Sequence, residues 1–177
     1  PAFHGVGSAV SRPWEQAAGE YAFVDELAKL RPLVSGPANL ERFDYWLNNF
    51  RYLRAVGKVS CTWARFDAAM KSIKDEKDPD AQKRLAKESA LPVRKELVAD
   101  IAQVHKYLLA TVSTPGAMGN VTNWQQHVMP ALLTQPGEEL ARILGEPLPD
   151  DAMPSKRYEG PARLFVPTVR SSLAPGE

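Results

Sequence analysis

The chain has 177 residues, 44% of them hydrophobic, and carries 22 lysines and arginines against 21 acidic residues. A chain of this length can bury the core of one domain, or of one domain and part of another. The balanced charge leaves no broad basic field of the kind that attracts proteins to phosphate backbones. Nucleic acid is therefore not expected as a partner.

The few cysteines and histidines exclude further classes of site. The single cysteine, Cys61, rules out an internal disulfide and a cysteine-rich metal cluster, and its setting predicts a small buried hydrophobic residue. The histidines His4, His105 and His127 have no spacing that places two on one helical face, so no metal site is expected. No nucleotide-binding glycine motif and no apolar run of about 20 residues is present. Neither a cofactor nor a membrane partner is expected.

The N-terminal part of the chain predicts an extended segment followed by a helix. Residues 1–12 contain glycines and small side chains without periodicity, which favours an extended segment leading into the domain. Pro13 suits a first helical turn, where its missing N–H would have no partner anyway. Apolar residues then recur at helical spacing, and they predict a first helix over residues 13–30: Ala17, Tyr21, Val24, Leu27 and Ala28.

The most informative stretch is residues 43–66, which hold seven of the chain's fifteen Phe, Trp and Tyr residues. The helical pattern runs without proline from about residue 38 to residue 78, which predicts a helix about 50 Å long. A wide apolar face predicts packing against two partners, through Phe43, Trp46, Leu47, Phe50, Leu53, Val56, Trp63, Phe66, Met70 and Ile73. A polar stripe is predicted to face solvent or a partner, through Asp44, Asn48, Arg51, Lys58, Thr62 and Arg65.

Two residues of this helix predict how its neighbour packs. Gly57 lies inside the helix, where glycine is about 1 kcal/mol less favourable than alanine, so a neighbouring helix is expected to cross closely there. Arg54 lies among large apolar residues and needs a carboxylate to offset its desolvation. Asp25 or Glu26 of the first helix is the expected partner, and such a pair would set the register of the two helices.

The rest of the chain predicts further helices and then a change of character. Asp78 is a good N-cap for a helix over 79–112 that Pro92 should kink or divide. Two more helices are predicted, one over 121–133 that Pro130 interrupts and one over 136–144 that Gly145 ends. With them, the predicted bundle covers residues 13–145. For residues 146–177 the pattern predicts a proline-rich linker and then an edge strand around Leu164, Val166 and Val169. A β-sandwich could begin at this strand. The expected fold is thus mainly α, a helical bundle with one long central helix and a short C-terminal β-strand segment.

Five residues are candidates for contact with a ligand. Tyr45, Asn48, Asn49 and Arg51 could face a cleft and bind a polar ligand such as a sugar, with the aromatic ring as a stacking surface. The alternative, which the pattern favours, is that Asn49 and other groups off the polar stripe are structural and bond to a neighbouring helix. Trp124 either contacts carbohydrate as an exposed indole or plugs the bundle, and the second interpretation is preferred.

The acidic residues give no catalytic pair. Glycosidases need two carboxylates that face each other across a cleft. Nothing distinguishes any two of the acids of this region from ordinary solvated helix residues, namely Glu15, Glu20, Asp25, Glu26 and Glu41. No catalytic residue is therefore assigned.

The sequence NLERFDYWLNNFRYLRAVG at 39–57, together with GPARLFVPTVRSSLAPGE at 160–177, resembles the C-terminal helical region of bacterial agarase-like glycoside hydrolases. The resemblance implies a catalytic domain upstream, a β domain downstream and a periplasmic or secreted location. The chain would be a helical accessory or connecting domain of a carbohydrate-active enzyme, without catalytic activity on its own, that contacts oligosaccharide. The alternative is an independent helical domain that presents Asn48, Arg51 and Arg65 to a protein partner.

Overall fold

The computed structural model describes residues 12–148, and within them the chain forms four helices joined by short turns. We number them α1 to α4. Helix α1 is broken by 3-10 turns and consists of Trp14–Ala17, Ala18–Tyr21, Phe23–Leu30 and Arg31–Leu33. Helix α2 is the uninterrupted span Pro37–Asp75.

Helices α3 and α4 each contain π-helical turns. Helix α3 consists of Pro79–Leu85, the π turn Ala86–Ala90 and Leu91–Ala110. Helix α4 follows the 3-10 turn Pro115–Ala117 and consists of Met118–Asn123, the π turns Trp124–Val128 and Pro130–Thr134, and Gln135–Leu144. The predicted break between two helices at 133–136 is therefore wrong. Proline removes one N–H from the ladder, and wider π turns near Pro92, Pro130 and Pro136 let the chain stay helical.

The ion pairs between helices show that both neighbours run antiparallel to α2. On α3, Arg65 pairs with Glu96 and Lys58 with Asp100, so positions rise along one helix as they fall along the other. On α1, Arg54 pairs with Asp25, and the earlier α2 residue Asp44 pairs with the later α1 residue Arg31. The long helix is the centre of the bundle, as the sequence predicts.

The core lies where α2, α3 and α4 meet. Its fully buried side chains come from all three helices and include Val59, Phe66, Ile73, Leu97, Ile101, Val104, Leu133 and Leu140. Burying one such side chain contributes about 1.5–3 kcal/mol relative to leaving it in water. Cys61 is buried as expected. Half of the predicted apolar face of α2 is in this core or packed against it, namely Val56, Trp63, Phe66, Met70 and Ile73. In the N-terminal half of that face, Leu47 is buried and Trp46 is 54% exposed.

Gly57 is the predicted crossing point of α1 over α2. The ring of Tyr21 lies so close that a Cβ at position 57 would be only 2.6 Å from its Cζ atom. The hydrogen of glycine is what lets Tyr21 rest against the α2 backbone. Asp25 is confirmed as the partner of Arg54, at 2.7 Å, although both side chains keep contact with solvent. The hydrogen bond and the charge of Arg54 lower the pKa of Asp25.

The polar stripe on α2 was expected to face solvent or a partner, and its middle is packed against α3. Thr62 is buried and donates a hydrogen bond of 2.7 Å to the Oδ2 atom of Asp100 on α3. Lys58 Nζ lies 2.7 Å from the other carboxylate oxygen of Asp100. These polar residues hold α3 against α2, because a buried carboxylate must be paired and hydrogen-bonded.

Both predicted helix caps are present. The Asp78 side chain accepts from the backbone N–H groups of Asp80 and Ala81 at the start of α3. Gly145 ends α4 in the left-handed region, with φ of 72°. The extended segment predicted for the N-terminus, up to residue 11, and the strand predicted around Leu164 to Val169 lie outside the described residues. No strand occurs in the part of the chain that the structure describes.

Candidate binding cleft

An open cleft of about 550 Å³ lies at the end of the bundle where the N-terminal third of α2 meets the end of α3 and the start of α4. Three segments supply its lining. They are Tyr45, Asn49 and Tyr52 of α2, Leu108, Thr111, Ser113 and Thr114 at and after the end of α3, and Ala117, Asn120, Asn123 and Trp124 at the start of α4.

The α2 wall is built by helical spacing. Tyr45, Asn49 and Tyr52 follow steps of four and three residues, which places them on one side of the helix. Asn49 donates a hydrogen bond of 2.8 Å from Nδ2 to the backbone carbonyl of Tyr45, which fixes the orientation of its amide. Its Oδ1 atom remains as an acceptor without a partner among the described residues. Burial raises the pKa of Tyr52, so its phenol stays protonated at neutral pH and can donate.

The opposite wall is the first part of α4 and the turn before it. Thr114 caps this turn, because its Oγ1 accepts from the backbone N–H of Ala117 at 3.3 Å. The cap starts the helix so that Asn120, Asn123 and Trp124 occupy one face, at steps of three and four residues. Both asparagines are exposed to solvent, and their amides offer donors and acceptors to the cleft.

Trp124 forms the floor between the cleft and the core. Its side chain is only 4% exposed, so the prediction that it plugs the bundle is confirmed and the alternative of an exposed indole is wrong. The ring stacks on His105 of α3 with centroids 6.1 Å apart. Its Nε1–H is buried without a hydrogen-bond partner among the described residues. The ring is therefore positioned by apolar and stacking contacts.

His105 of α3 contacts both Trp124 and the residue after it on α4. Its Nε2 atom lies 3.2 Å from Nε2 of Gln125, the residue after Trp124. Burial lowers the pKa of His105, because a charged imidazolium would lose hydration behind the indole ring. The histidine is therefore neutral at pH 7 and above.

The structure brings together three of the five candidate residues. Tyr45, Asn49 and Trp124 line the same cleft, although they come from two different helices. Asn48 and Arg51 are not in its lining, and the Nη1 atom of Arg51 donates instead to Oδ1 of Asn48 at 3.3 Å. The structural interpretation of Asn49 is wrong in its partner, because the amide bonds to Tyr45 of its own helix and not to a neighbouring helix. That Asn49 contacts a ligand stays a prediction.

Sequence reasoning missed part of the lining. Tyr52 lies three residues after Asn49, so helical spacing was a usable signal for it. Asn120 and Asn123 lie four residues and one residue before Trp124, so the choice of Trp124 was a usable signal for them. Ser113 and Thr114 gave no signal as binding residues, because a Ser-Thr-Pro-Gly sequence marks the end of a helix whatever the turn contacts.

The side chains that the structure describes in the cleft are uncharged. No Asp, Glu, Lys, Arg or His of residues 12–148 is among its lining; the polar groups are amides and hydroxyls, and the large apolar surfaces are aromatic rings. Such a set would suit a ligand rich in hydroxyl groups that also has a flat C–H face. Because no pair of carboxylates lines it, this cleft has no acid and base for glycoside hydrolysis. In residues 12–148, no three His, Cys, Asp or Glu residues cluster closely enough to hold a metal ion.

Comparisons of the chain with protein-family models, curated proteins and solved structures give no match. Among the described residues, no helix combines the length and the apolar character needed to cross a membrane. The proposals below therefore depend on the cleft residues themselves and on the resemblance stated above.

Proposed function

We propose that this chain is a non-catalytic accessory domain of a carbohydrate-active enzyme and that it binds an uncharged oligosaccharide. The observation that carries the proposal is the uncharged cleft, in which Tyr45 and Asn49 of α2 face the amide-rich start of α4 with Trp124. Its place beside a catalytic domain and a β domain, and its periplasmic or secreted location, come from the agarase-like resemblance of residues 39–57 and 160–177.

The composition of the cleft favours a neutral sugar over a charged one. A sulfate or carboxylate entering the cleft would lose hydration without meeting a lysine or arginine, which is strongly unfavourable. When a sugar hydroxyl replaces its hydrogen bond to water with one to a protein amide, the net free energy of binding improves by about 0.5–1.5 kcal/mol. Ring stacking on tyrosine adds a contribution of similar size. After the entropic cost of association, these few contacts support a Kd of roughly 10 μM to 1 mM.

The rival interpretation, a protein partner that binds Asn48, Arg51 and Arg65, has less support. Arg51 and Asn48 bond to each other, and Arg65 pairs with Glu96 of α3 at 2.8 Å. A partner would have to displace these contacts before it could bind the same groups. In the cleft, Asn49, Thr111 and Thr114 also have hydrogen bonds within the protein. The side chains of Asn120 and Asn123 have no such bond among the described residues, so a ligand can bind them without an exchange.

Calorimetric titration with neutral and sulfated galactan oligosaccharides tests the proposal. We expect saturable binding of the neutral series, with at least tenfold weaker binding of sulfated chains of equal length. Tryptophan fluorescence should change in parallel, because Trp124 forms the cleft floor. If no neutral oligosaccharide binds at about 10 mM, above the expected Kd range, the proposal is wrong.

Matched asparagine variants locate the binding. Asn49→Ala removes a cleft amide and should weaken binding about tenfold, which corresponds to one hydrogen bond of about 1.4 kcal/mol. Asn48→Ala changes the neighbouring residue, which is outside the cleft, and should leave the affinity unchanged. Equal losses in the two variants would place the sugar elsewhere. In the same experiments the isolated chain should release no reducing ends from agar.

A further inference from the structure

A second surface on α2 has a different chemistry from the cleft. Among the described residues, the large hydrophobic side chains with high exposure all belong to α1 or to the N-terminal third of α2: Phe23, Leu30, Leu33, Tyr45 and Trp46. The most exposed of them is Leu33, at 78%. Clustered exposure of this kind marks an interaction surface, whereas single exposed apolar residues need no explanation.

Of these side chains, Trp46 lines a groove of about 290 Å³ between α1 and α2, which we call the α1–α2 groove. Its lining is Leu27, Val34, Asn39, Arg42, Phe43, Trp46 and Phe50. Phe23 meets Phe50 edge to face at its rim, with ring centroids 5.3 Å apart. The α2 residues follow steps of three and four from position 39 to position 50, so the groove runs along the helix for about 17 Å, or three turns.

The groove contains one cation without a counter-charge. Arg42 lines it, is exposed to solvent, and makes no ion pair or side-chain hydrogen bond within the described residues. Three of the other charges nearby, Arg31, Asp44 and Lys29, are paired inside the domain, and Glu41, the neighbour of Arg42 in the sequence, is not in the groove lining. Arg31 bonds to both carboxylate oxygens of Asp44, at 2.7 and 2.8 Å, and Lys29 pairs with Glu26 at 2.7 Å.

We propose that the α1–α2 groove docks an amphipathic α-helix of a partner protein domain, with apolar residues in the groove and a carboxylate at Arg42. Two antiparallel helices with an apolar channel between them accept a third helix, whose residues at i, i+3, i+4 and i+7 fill the channel. An unpaired arginine beside an apolar channel selects an acidic helix over a basic one. This site is separate from the oligosaccharide cleft and does not depend on it.

Selection from a displayed library of amphipathic helices of about 15 residues tests the proposal. We expect enrichment of sequences with an apolar stripe and a Glu or Asp beside it. The selected peptide and its Glu→Gln counterpart are then titrated against the whole chain by fluorescence anisotropy. The acidic peptide should bind about tenfold more tightly, as one partly desolvated charged hydrogen bond implies.

Three variants assign the binding to the groove. Trp46→Ala should weaken both peptides at least tenfold, as expected for a central aromatic contact. Arg42→Gln should remove the preference for the acidic peptide and leave the Gln peptide unchanged. Arg84→Gln removes an exposed arginine of α3, at the other end of the bundle, and should change neither affinity. Trp46, Arg42 and Arg84 are exposed, so the variants should keep the helical circular dichroism of the parent chain.

Several results would overturn the proposal. One is a selection that enriches no helix, or enriches basic helices. Another is a concentration-dependent dimer, seen by light scattering, that Trp46→Ala dissociates, because a second copy would then occupy the groove. A third is protection of Trp46 from acrylamide quenching in the free chain, because another segment of the same chain would then cover it.

Discussion

The two ends of α2 differ in what surrounds them. From Val56 to Ile73 the helix is packed against α3 and α4, and its large apolar side chains are buried or, at Trp63, partly buried. Over its N-terminal third it borders two open surfaces, the cleft on one side and the α1–α2 groove on the other. The packed end holds the bundle together, and the open end is long enough to offer separate surfaces to separate ligands.

Two consecutive residues divide these surfaces. Tyr45 lines the cleft and Trp46 lines the groove, because neighbouring positions on a helix are about 100° apart. Their rings meet edge to face with centroids 5.5 Å apart. The cleft offers amides and hydroxyls, whereas the groove offers apolar surface and one cation. A ligand suited to one surface is therefore poorly suited to the other.

The largest expected effect comes from the packed end. Phe66 is fully buried beside Trp63, with ring centroids 5.8 Å apart. Phe66→Ala should lower the free energy of unfolding by about 3–5 kcal/mol, because it removes apolar contacts and leaves a cavity. Urea denaturation measures the loss. In the fraction that remains folded, oligosaccharide affinity should be unchanged; a matching loss of affinity would mean that the two ends of α2 are not independent.

The next effect comes from the polar contact between α2 and α3. Asp100→Ala removes the acceptor of Thr62 and the partner of Lys58, and we expect it to lower stability by about 2 kcal/mol. Lys58 keeps contact with solvent, which limits the cost of leaving it unpaired. The double variant Asp100→Ala, Thr62→Val should be more stable than the sum of the two single changes predicts. Simple additivity in a double-mutant cycle would refute the coupling of these two residues.

A smaller effect on stability, which depends on pH, is expected from His105 at the floor of the cleft. Burial lowers the pKa of His105 below its value of about 6.5 in the unfolded chain. The unfolded state then binds a proton more readily, so this contribution to stability is complete above pH 6.5 and is lost as pH falls through the folded pKa. Carboxylates whose pKa is lowered, such as Asp25 and Asp44, lose their contributions only at lower pH.

Thermal unfolding between pH 7.5 and 5 measures this contribution. The parent chain should lose Tm as pH falls through this range, and His105→Gln should lose less. His127→Gln replaces an exposed histidine of α4 and serves as the matched control. If the pH dependence disappears in the control and persists in His105→Gln, the assignment to His105 is wrong.

Local sequence signals predicted much of this fold because they depend on neighbours along the chain. Helical periodicity and the cap at Asp78 gave α2 and α3 nearly complete, and Gly145 gave the end of α4. Gly57 and Arg54 predicted contacts with α1, because a glycine and a charge inside an aromatic helix each require a particular neighbour. The strand expected near the C-terminus and the carbohydrate role stay predictions.

Periodicity and caps could not predict the roles of residues that depend on how two helices are aligned with each other. The polar stripe predicts a surface position for Thr62. Only the fold shows that Asp100, 38 residues later in the chain, accepts its hydrogen bond. The pattern predicts a core position for Trp46, because it does not show that this side of α2 borders an open groove. Asn49 and Trp124 were chosen separately, and only the packing of α4 against α2 brings them to one cleft.

The smallest expected change in stability comes from the open end, at Leu33. Its side chain is 78% exposed, so Leu33→Gln removes little buried surface and should change the free energy of unfolding by less than about 0.5 kcal/mol. The same change should weaken binding of the selected acidic helix and leave oligosaccharide titration unaltered, because Leu33 adjoins Val34 of the groove and is absent from the cleft lining. A loss of stability comparable to that of Phe66→Ala would show that Leu33 packs against the domain itself. The end of α1 beside the groove would then be part of the core.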